Sequence, residues 1–429
     1  MNIVFLAIVL VAFIFAAWHQ LFWIPVVGDP SPMEALSKAM VESAAGSVEL
    51  ALGLVGVMTL FLGLMKVAEE GGLLTILARL IRPLMVRLFP EVPPDHPAMG
   101  SMILNMSANA MGLGNAATPF GIRAMQELEK LNARPGTATN AMVLFLAINT
   151  SNVTLLPTGV IALRAAAGSI DPAGILPTTL FATACSTITA VIAAKLYQRF
   201  STIKGNNGGG ETPGAPLAKE KESAPAEEIR AYPLWVSLVA FFVLISLIPL
   251  TIAFGRAISP WIIPGLMVGF LIFGVVRKVR VYEVFVEGAK EGFQVAIRII
   301  PYLVAILVAV GMFRASGAMD TIVGWLGSLT GKVGLPGEAL PMALLRPLSG
   351  SGAYGILASI INDPAIGPDS YTGYLVSTLQ GSTETTFYVL AVYFGAVQVK
   401  RIRHALPAAL TADLAGIIAA VIACSYLYG

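Results

Sequence analysis

Gln380-Gly381-Ser382-Thr383-Glu384-Thr385-Thr386 lies inside a window, residues 374–398, that is otherwise apolar enough to cross a bilayer. An ionisable side chain at that depth is costly, and its default reading is functional. Glu384 could bind a cation, carry a coupling proton, or accept a hydrogen bond from a solute amine or hydroxyl. The bland alternative is a structural ion pair with Arg346. A second polar run, Asn149-Thr150-Ser151-Asn152-Val153-Thr154, lies inside the window 138–162 and is closed by Pro157. A lone Ser or Thr can satisfy itself on its own helix backbone, but a cluster this dense points to the lining of a polar ligand site. The expected lining is Asn149, Ser151, Asn152 and Thr154 from one run, and Gln380, Ser382, Thr383, Glu384 and Thr385 from the other.

Two more stretches are hostile to a long apolar helix. NMSANAMGLGNAATPFG runs from Asn105 to Gly121, and LLRPLSGSGAYGILASIIN from Leu344 to Asn362. In the first, Gly112-Leu113-Gly114 predicts a tight turn. Asn115 or Thr118 is placed to cap the helix that follows, with Pro119 in its first turn. An inward-pointing helix N-terminus offers N–H donors to an anion or polar ligand; capping without a ligand accounts for the same residues. Asn105, Ser107, Asn109, Asn115 and Thr118 form one candidate side of a site, and Ser349 and Ser351 the other.

These residues need helices to hold them. The chain has 429 residues, 56% hydrophobic and 12% charged, with a mean hydropathy of +0.79. Soluble domains carry about 25% charged residues, so the composition indicates an all-α polytopic membrane protein. Apolar windows fall near 3–24, 48–67, 138–162 and 175–198, then near 233–254, 258–276, 293–313, 374–398 and 405–428. The first ends in Trp18, Phe22 and Trp23, an interfacial anchor. It lacks a basic n-region and a small-residue cleavage site, so it reads as a first spanning helix rather than a signal peptide. Residues 201–231 are rich in Gly, Pro, Glu and Lys and read as a flexible cytoplasmic linker. They separate two membrane halves, 1–200 and 232–429.

The halves look related. Val41-Glu42-Ser43-Ala44 and Val286-Glu287-Gly288-Ala289 precede corresponding windows. PAMGSMILNMS from Pro97 sits opposite PMALLRPLSGS from Pro341, and the run from Asn149 sits opposite that from Gln380. Positive charge marks the cytoplasmic side: the linker, Arg79, Arg82, Arg87, Arg277-Lys278-Val279-Arg280 and Lys400-Arg401-Ile402-Arg403. Corresponding windows then run in opposite directions. The fold class expected is two inverted-topology repeats, each with a re-entrant helical hairpin. Non-helical backbone at membrane depth must be buried in protein or line a cavity, and paired broken segments in inverted halves point to a transport site near the midplane.

Other chemistries find little material. The chain has no H-E-x-x-H. Gly112-Leu113-Gly114-Asn115 has asparagine where an intramembrane aspartyl protease needs aspartate. Pro347-Leu348-Ser349-Gly350 lacks the first glycine of a rhomboid motif. No enzyme activity is expected. Two cysteines, Cys185 and Cys424, and three histidines leave no evident metal cluster. A net charge of +2 gives no large basic surface, so no nucleic-acid partner is expected. No P-loop is present, which leaves Na⁺ or H⁺ as the coupling ion and no cofactor.

Residues 1–200 resemble the spore maturation protein A family through ALGLVGVMTLFLGLMKVAEEGGL, RLFPEVPPDHPAMGSMILNMSANAMGLGNAATPFG and FLAINTSNVTLLPT. From about residue 232 the chain resembles the spore maturation protein B family through PLSGSGAYG and STLQGSTETTFYVLAVYFGAV. It looks like a natural fusion of the two, joined at 201–231. Both belong to the nucleoside-recognition, or Gate, superfamily, with the concentrative nucleoside transporters and the membrane part of the bacterial ferrous-iron permease. The resemblance implies hairpins around a central polar site in inverted halves, the bacterial cytoplasmic (inner) membrane, and a homo-oligomer. The iron relatives use a pore cysteine; Cys185 and Cys424 lie away from the polar clusters, which argues against iron. The expected function is secondary transport of a small polar solute, of nucleoside, amino-acid or dicarboxylate-like class, across the lipid bilayer. The alternative is a non-transporting scaffold acting through protein partners, linked to spore maturation in spore-forming relatives.

Overall fold

The computed structural model describes residues 2–25, 30–112, 114–151, 154–201 and 232–429. Helices on the first side of the linker are α1 (Asn2–Leu21), α2 (Pro32–Glu70), α3 (Leu73–Leu88), α4 (Pro97–Ala110), α5 (Gly114–Lys130), α6 (Asn140–Ser151), α7 (Thr158–Ala166) and α8 (Leu176–Phe200). Those on the second are α9 (Leu234–Val276), α10 (Val281–Ala315), α11 (Ala318–Thr330), α12 (Leu340–Leu345), α13 (Gly350–Ile361), α14 (Tyr371–Ser382), α15 (Thr386–Ala396) and α16 (Ala405–Tyr428). The two series match in order. Each has a very long helix (α2, α10), a shorter one, a helical hairpin (α4–α5, α12–α13), a helix broken in the middle (α6–α7, α14–α15) and a long closing helix (α8, α16).

The closing helices are apolar on the outside and small within. On α16, Leu410, Leu414, Ile418 and Ile422 recur every fourth residue and are exposed, while Ala405, Ala408, Ala412, Gly416, Ala419 and Ala420 are buried. On α8, Ile188, Ile192 and Leu196 face out, and Ala182, Ala190 and Ala193 face in. Lipid gives apolar side chains no reason to hide, whereas small residues let backbones approach closely. Leu176–Phe200 and Ala405–Tyr428 are both long and apolar enough to cross a membrane.

Glycine sets the central pair, α2 against α10. A Cβ at Gly288 would stand 2.7 Å from the Leu62 carbonyl oxygen, and one at Gly292 would stand 2.8 Å from that of Met58. A Cβ at Gly311 would meet the Ser43 side chain. Rising numbers on α10 meet falling numbers on α2, so the two matched helices run antiparallel. So do α8 and α16: Tyr428 reaches Gly174, Ser186 donates to the Ala412 carbonyl at 2.9 Å, and Arg403 reaches Ser201. Ser31 caps α2 through a reciprocal box with Glu34, whose carboxylate accepts from the Ser31 N–H at 2.8 Å.

The two hairpins open toward opposite ends of the molecule. At one end the Arg277 side chain donates to the Gly71 carbonyl, Arg82 pairs with Asp95, Asn140 donates to Glu91, and the Lys400 and Arg401 N–H groups reach the Gly136 carbonyl. Both arms of α4–α5 start or finish there, as do Ser201 and Tyr232 at the borders of the linker. At the other end Arg314 pairs with Asp363 at 2.7 Å, Arg164 with Asp369 at 3.0 Å, and the Tyr371 hydroxyl donates to the Gly334 carbonyl at 2.6 Å, which places the finish of α13 and the approach to α12 there.

Some sequence expectations shift. The windows 233–254 and 258–276 join in one helix, α9. Helix α5 starts at Gly114, so Pro119 sits inside it rather than in its first turn. The pairing of Ser107 with Ser351 fails in three dimensions. Ser107 lies before its hairpin tip and Ser351 after its own, because α12 spans 6 residues where α4 spans 14. The linker, apart from Ser201, lies outside the described residues.

Candidate functional site

Each hairpin tip is fastened to the broken helix of its own half. The Leu155 N–H donates to the Ala110 carbonyl at 2.9 Å, and the Phe387 N–H to the Pro347 carbonyl at 3.1 Å. Gly112 has φ +77°, and a Cβ there would stand 2.6 Å from the Leu156 carbonyl oxygen, so only glycine turns the first tip this close to the break. At the second tip a Cβ on Gly350 would meet Thr385 Oγ1 at 2.8 Å.

Each hairpin also touches the broken helix of the other half. Tyr393 on α15 packs its hydroxyl on Gly121 of α5 and receives a hydrogen bond from Asn105 Nδ2 at 3.1 Å. Tyr354 on α13 packs its hydroxyl on Gly159 of α7. The two breaks meet directly: the Glu384 N–H donates to the Thr150 carbonyl at 2.8 Å. Breaking α6 at Ser151 frees carbonyls at its C-terminal end, and the second break supplies a donor for one of them.

The candidate residues divide by what holds them. Asn105 also donates to the Ala117 carbonyl at 2.8 Å across the first hairpin, and its Oδ1 finds no partner among the described residues. Asn109 Nδ2 donates to Asn149 Oδ1 at 2.9 Å, joining α4 to α6, while Asn149 Nδ2 donates to the Phe145 carbonyl. Ser107, Ser151 and Ser382 donate to carbonyls of their own helices, at Ile103, Ile148 and Leu379. Ser349 caps α13, its Oγ accepting from the Gly352 N–H at 3.0 Å, and Ser351 follows in the first turn. Gln380 Oε1 is buried without a partner among the described residues. Thr154 is buried between the break and the first tip, and Thr118 is half-buried on α5. Asn115 lies in the first turn of α5, and its side chain is not among those described. Asn152 lies outside the described residues.

Arg346 organises the second tip. Its Nη1 donates to Thr385 Oγ1 at 2.9 Å and its Nη2 to the Thr383 carbonyl. Glu384 Oε2 lies 3.8 Å from Nη2. The structural pairing weighed for Glu384 is therefore present, but the Glu384 side chain is 41% exposed against 6% for Arg346. The carboxylate is therefore the more exposed partner of the pair.

Sequence reading missed two buried charges. Asp413 on α16 is 3% exposed and accepts from Thr386 Oγ1 at 2.6 Å. It is an aspartate inside a spanning window, the same signal that singled out Glu384. Arg164 on α7 is fully buried, donates to the Pro368 carbonyl at 2.6 Å and lies over the Tyr374 ring. It fastens the first half to the start of α14 and does not face the breaks.

Among the described residues, the second break is tightly packed. The cavity between Arg346, Ser382, Thr383 and Asp413 holds about 10 Å³, room for one water and no solute. A hollow of about 370 Å³ lies instead at the basic end, between Phe89, Asn140, Ala194 and Arg199.

Comparison with known proteins adds to this geometry. The family described as Gate, nucleoside recognition, matches residues 51–167 and 296–400, more than half of the chain. Spore maturation protein B of Bacillus subtilis is 48% identical over 167 residues, 39% of this chain and 93% of that protein. Spore maturation protein A of the same organism is 40% identical over 196 residues, 46% of this chain and 94% of that protein. The inner membrane protein YjiG of Escherichia coli K12 is 33% identical over 109 residues, 24% of this chain and 65% of that protein. Among solved structures, the concentrative nucleoside transporter CNTnw in an outward-facing state aligns over 100% of this chain and 99% of its own. Its identity is 13% and its TM-score 0.39, too loose a likeness to carry an argument.

Proposed function

The chain belongs to the nucleoside-recognition, or Gate, family, and on that premise we propose that it is a secondary transporter of a small polar solute. It is a multi-pass membrane protein, in keeping with its composition, its lipid-facing helices and its relatives. We place it in the bacterial cytoplasmic (inner) membrane, as the name of YjiG places that relative. Residues 1–200 and 232–429 act as two inverted halves joined by the cytoplasmic linker 201–231, and α4–α5 and α12–α13 act as re-entrant hairpins.

One observation carries the reading: the two breaks meet, Glu384 N–H on Thr150 carbonyl, with a hairpin tip fastened to each. Irregular backbone inside a bilayer is tolerated where protein buries it or a cavity needs it. Corresponding broken segments are where transporters bind solute and ion. Asn105, Asn109 and Asn149 supply amide groups on one side, and Gln380, Glu384 and Thr385 supply acceptors and a charge on the other. This set suits a nucleoside first, then an amino acid or a dicarboxylate-like solute. Sodium or proton drives the cycle. The tightly packed second break is then the unloaded resting form, and loading requires its tip to leave the break it caps.

The full-length relationship to spore maturation proteins A and B favours a second reading, a scaffold working through protein partners. A solute screen separates the two. Purified protein is melted with nucleosides, amino acids and dicarboxylates, with and without Na⁺, at two pH values. A ligand that binds only the folded state raises its stability, by about 2.7 kcal/mol at a hundredfold excess over Kd. We expect one class to stabilise the protein and the effect to vanish in Glu384→Gln and Asn149→Ala. Absence of any stabilising class, with both variants fully functional in a sporulation-type complementation, would establish the scaffold instead.

A further inference from the structure

Asp413 stands about 12 Å along α16 from its start, well inside the span. Its Oδ2 accepts from Thr386, and its Oδ1 finds no partner among the described residues. Arg346 lines the same small cavity, yet no ion pair joins the two; its Nη groups are turned to Thr383 and Thr385, and its Nε is unpartnered. A carboxylate this deep, with one hydroxyl donor and one bare oxygen, is costly to keep charged, and the Arg346 guanidinium in the same cavity wall works the other way. A metal cation does not fit, because the guanidinium of Arg346 forms part of the cavity wall and the room is that of one water.

We propose that Asp413 is a proton-coupling site: it holds a proton on Oδ1 in this resting form and releases it when the second hairpin tip turns Arg346 toward it. The coupling role rests on the transport reading above. The proton passes from Oδ1 to a water in the cavity and on to solvent, and the carboxylate left behind pairs with the guanidinium. No other group is changed. The titratable side chains on the elements packed against α16 are these. The tip and break bring Arg346 and Glu384; α8 brings Cys185 and, toward its end, Lys195, Tyr197 and Arg199, with the Tyr197 hydroxyl 3.1 Å from Thr411 Oγ1; α15 brings Tyr388 and Tyr393, and α14 brings Tyr371 and Tyr374 near its start; α6 brings none. Glu384 differs from Asp413 in being half-exposed and already beside Arg346.

The test uses the full-length protein in lipid vesicles. Infrared spectra taken from mildly acidic to mildly alkaline pH should show a protonated-carboxyl band that Asp413→Asn removes, Glu384→Gln keeps and Asp413→Glu restores. Because the neutral amide mimics the protonated acid, Asp413→Asn should fold and melt like wild type. Thr386→Val, which removes a hydroxyl that also stabilises the carboxylate, should carry the band to higher pH and serves as a second probe should Asp413→Asn fail to fold. With one proton per solute, a pH gradient of one unit drives up to about tenfold accumulation of the solute found by the screen. Asp413→Asn should equilibrate that solute without accumulating it. A band that survives in Asp413→Asn and is unmoved in Thr386→Val, or gradient-driven accumulation unchanged in Asp413→Asn, overturns the proposal. Wild type that moves no solute under any gradient overturns transport, and coupling with it, while the band still reports whether Asp413 holds a proton.

Discussion

The hydrogen bond from Asn109 to Asn149 is the cleanest place to measure how firmly the first hairpin is held to the broken helix. It spans α4 and α6 at 2.9 Å with both residues buried. The other bond of Asn149, to the Phe145 carbonyl, stays within its own helix. Tyr393 approaches Asn149 Oδ1 at 3.5 Å, too far to replace Asn109. Asn109→Ala therefore removes the cross-helix bond alone, and Asn149→Ala removes that bond plus a local one. Side-chain hydrogen bonds between membrane helices are worth about 0.6 kcal/mol on average and about 1.7 at most. We expect the double variant to cost less than the sum of the singles by an amount in that range. The assay is reversible unfolding in mixed micelles, with all four proteins compared in one double-mutant cycle. Sites that do not touch add to within about 0.3–0.5 kcal/mol. Additivity inside that margin would refute the contact and the docking of the tip derived from it.

The other expectations follow from single contacts. Asp369→Ala leaves the buried Arg164 guanidinium without its carboxylate and should cost about 3–5 kcal/mol, nearer the lower figure because the Pro368 and Asp171 carbonyls still accept from it, read by the same unfolding assay. Gly292→Leu forces a side chain against the Met58 and Thr59 backbone and should cost about 1–3 kcal/mol, whereas Gly265→Ala, with open space around it, should change little in a parallel melt. Burial, and next the charge of Arg403, push the His404 imidazole below its ordinary value of 6.5. The unfolded chain then takes up a proton that the fold resists, so stability is complete above 6.5 and falls as pH drops through and below it. A melting series over that range should show the slope in wild type and lose it in His404→Gln.

Composition alone determined that this chain lives in a membrane, because a bilayer selects on residue type over long windows. The polar runs at Asn149 and Gln380 were legible as a candidate lining, but the windows 138–162 and 374–398 that hold them read as whole spans; that each splits into two helices there, α6–α7 and α14–α15, came only with the folded backbone. The signal that would have found Asp413 was present in the same form as that for Glu384. What the sequence could not show was which polar groups satisfy one another. Ser107, Ser151 and Ser382 look like ligand contacts in a string of letters, yet each bonds a carbonyl of its own helix. Asn109 and Asn149 stand forty positions apart and meet only because the first hairpin folds back on the break. The contact of Glu384 with Thr150 joins residues from opposite halves. Register across the second tip was likewise hidden, because a hairpin arm of six residues and one of fourteen obey the same local rules. Local chemistry follows from neighbours along the chain; the choice of partner across a closed core follows from packing, and only the folded backbone supplies it.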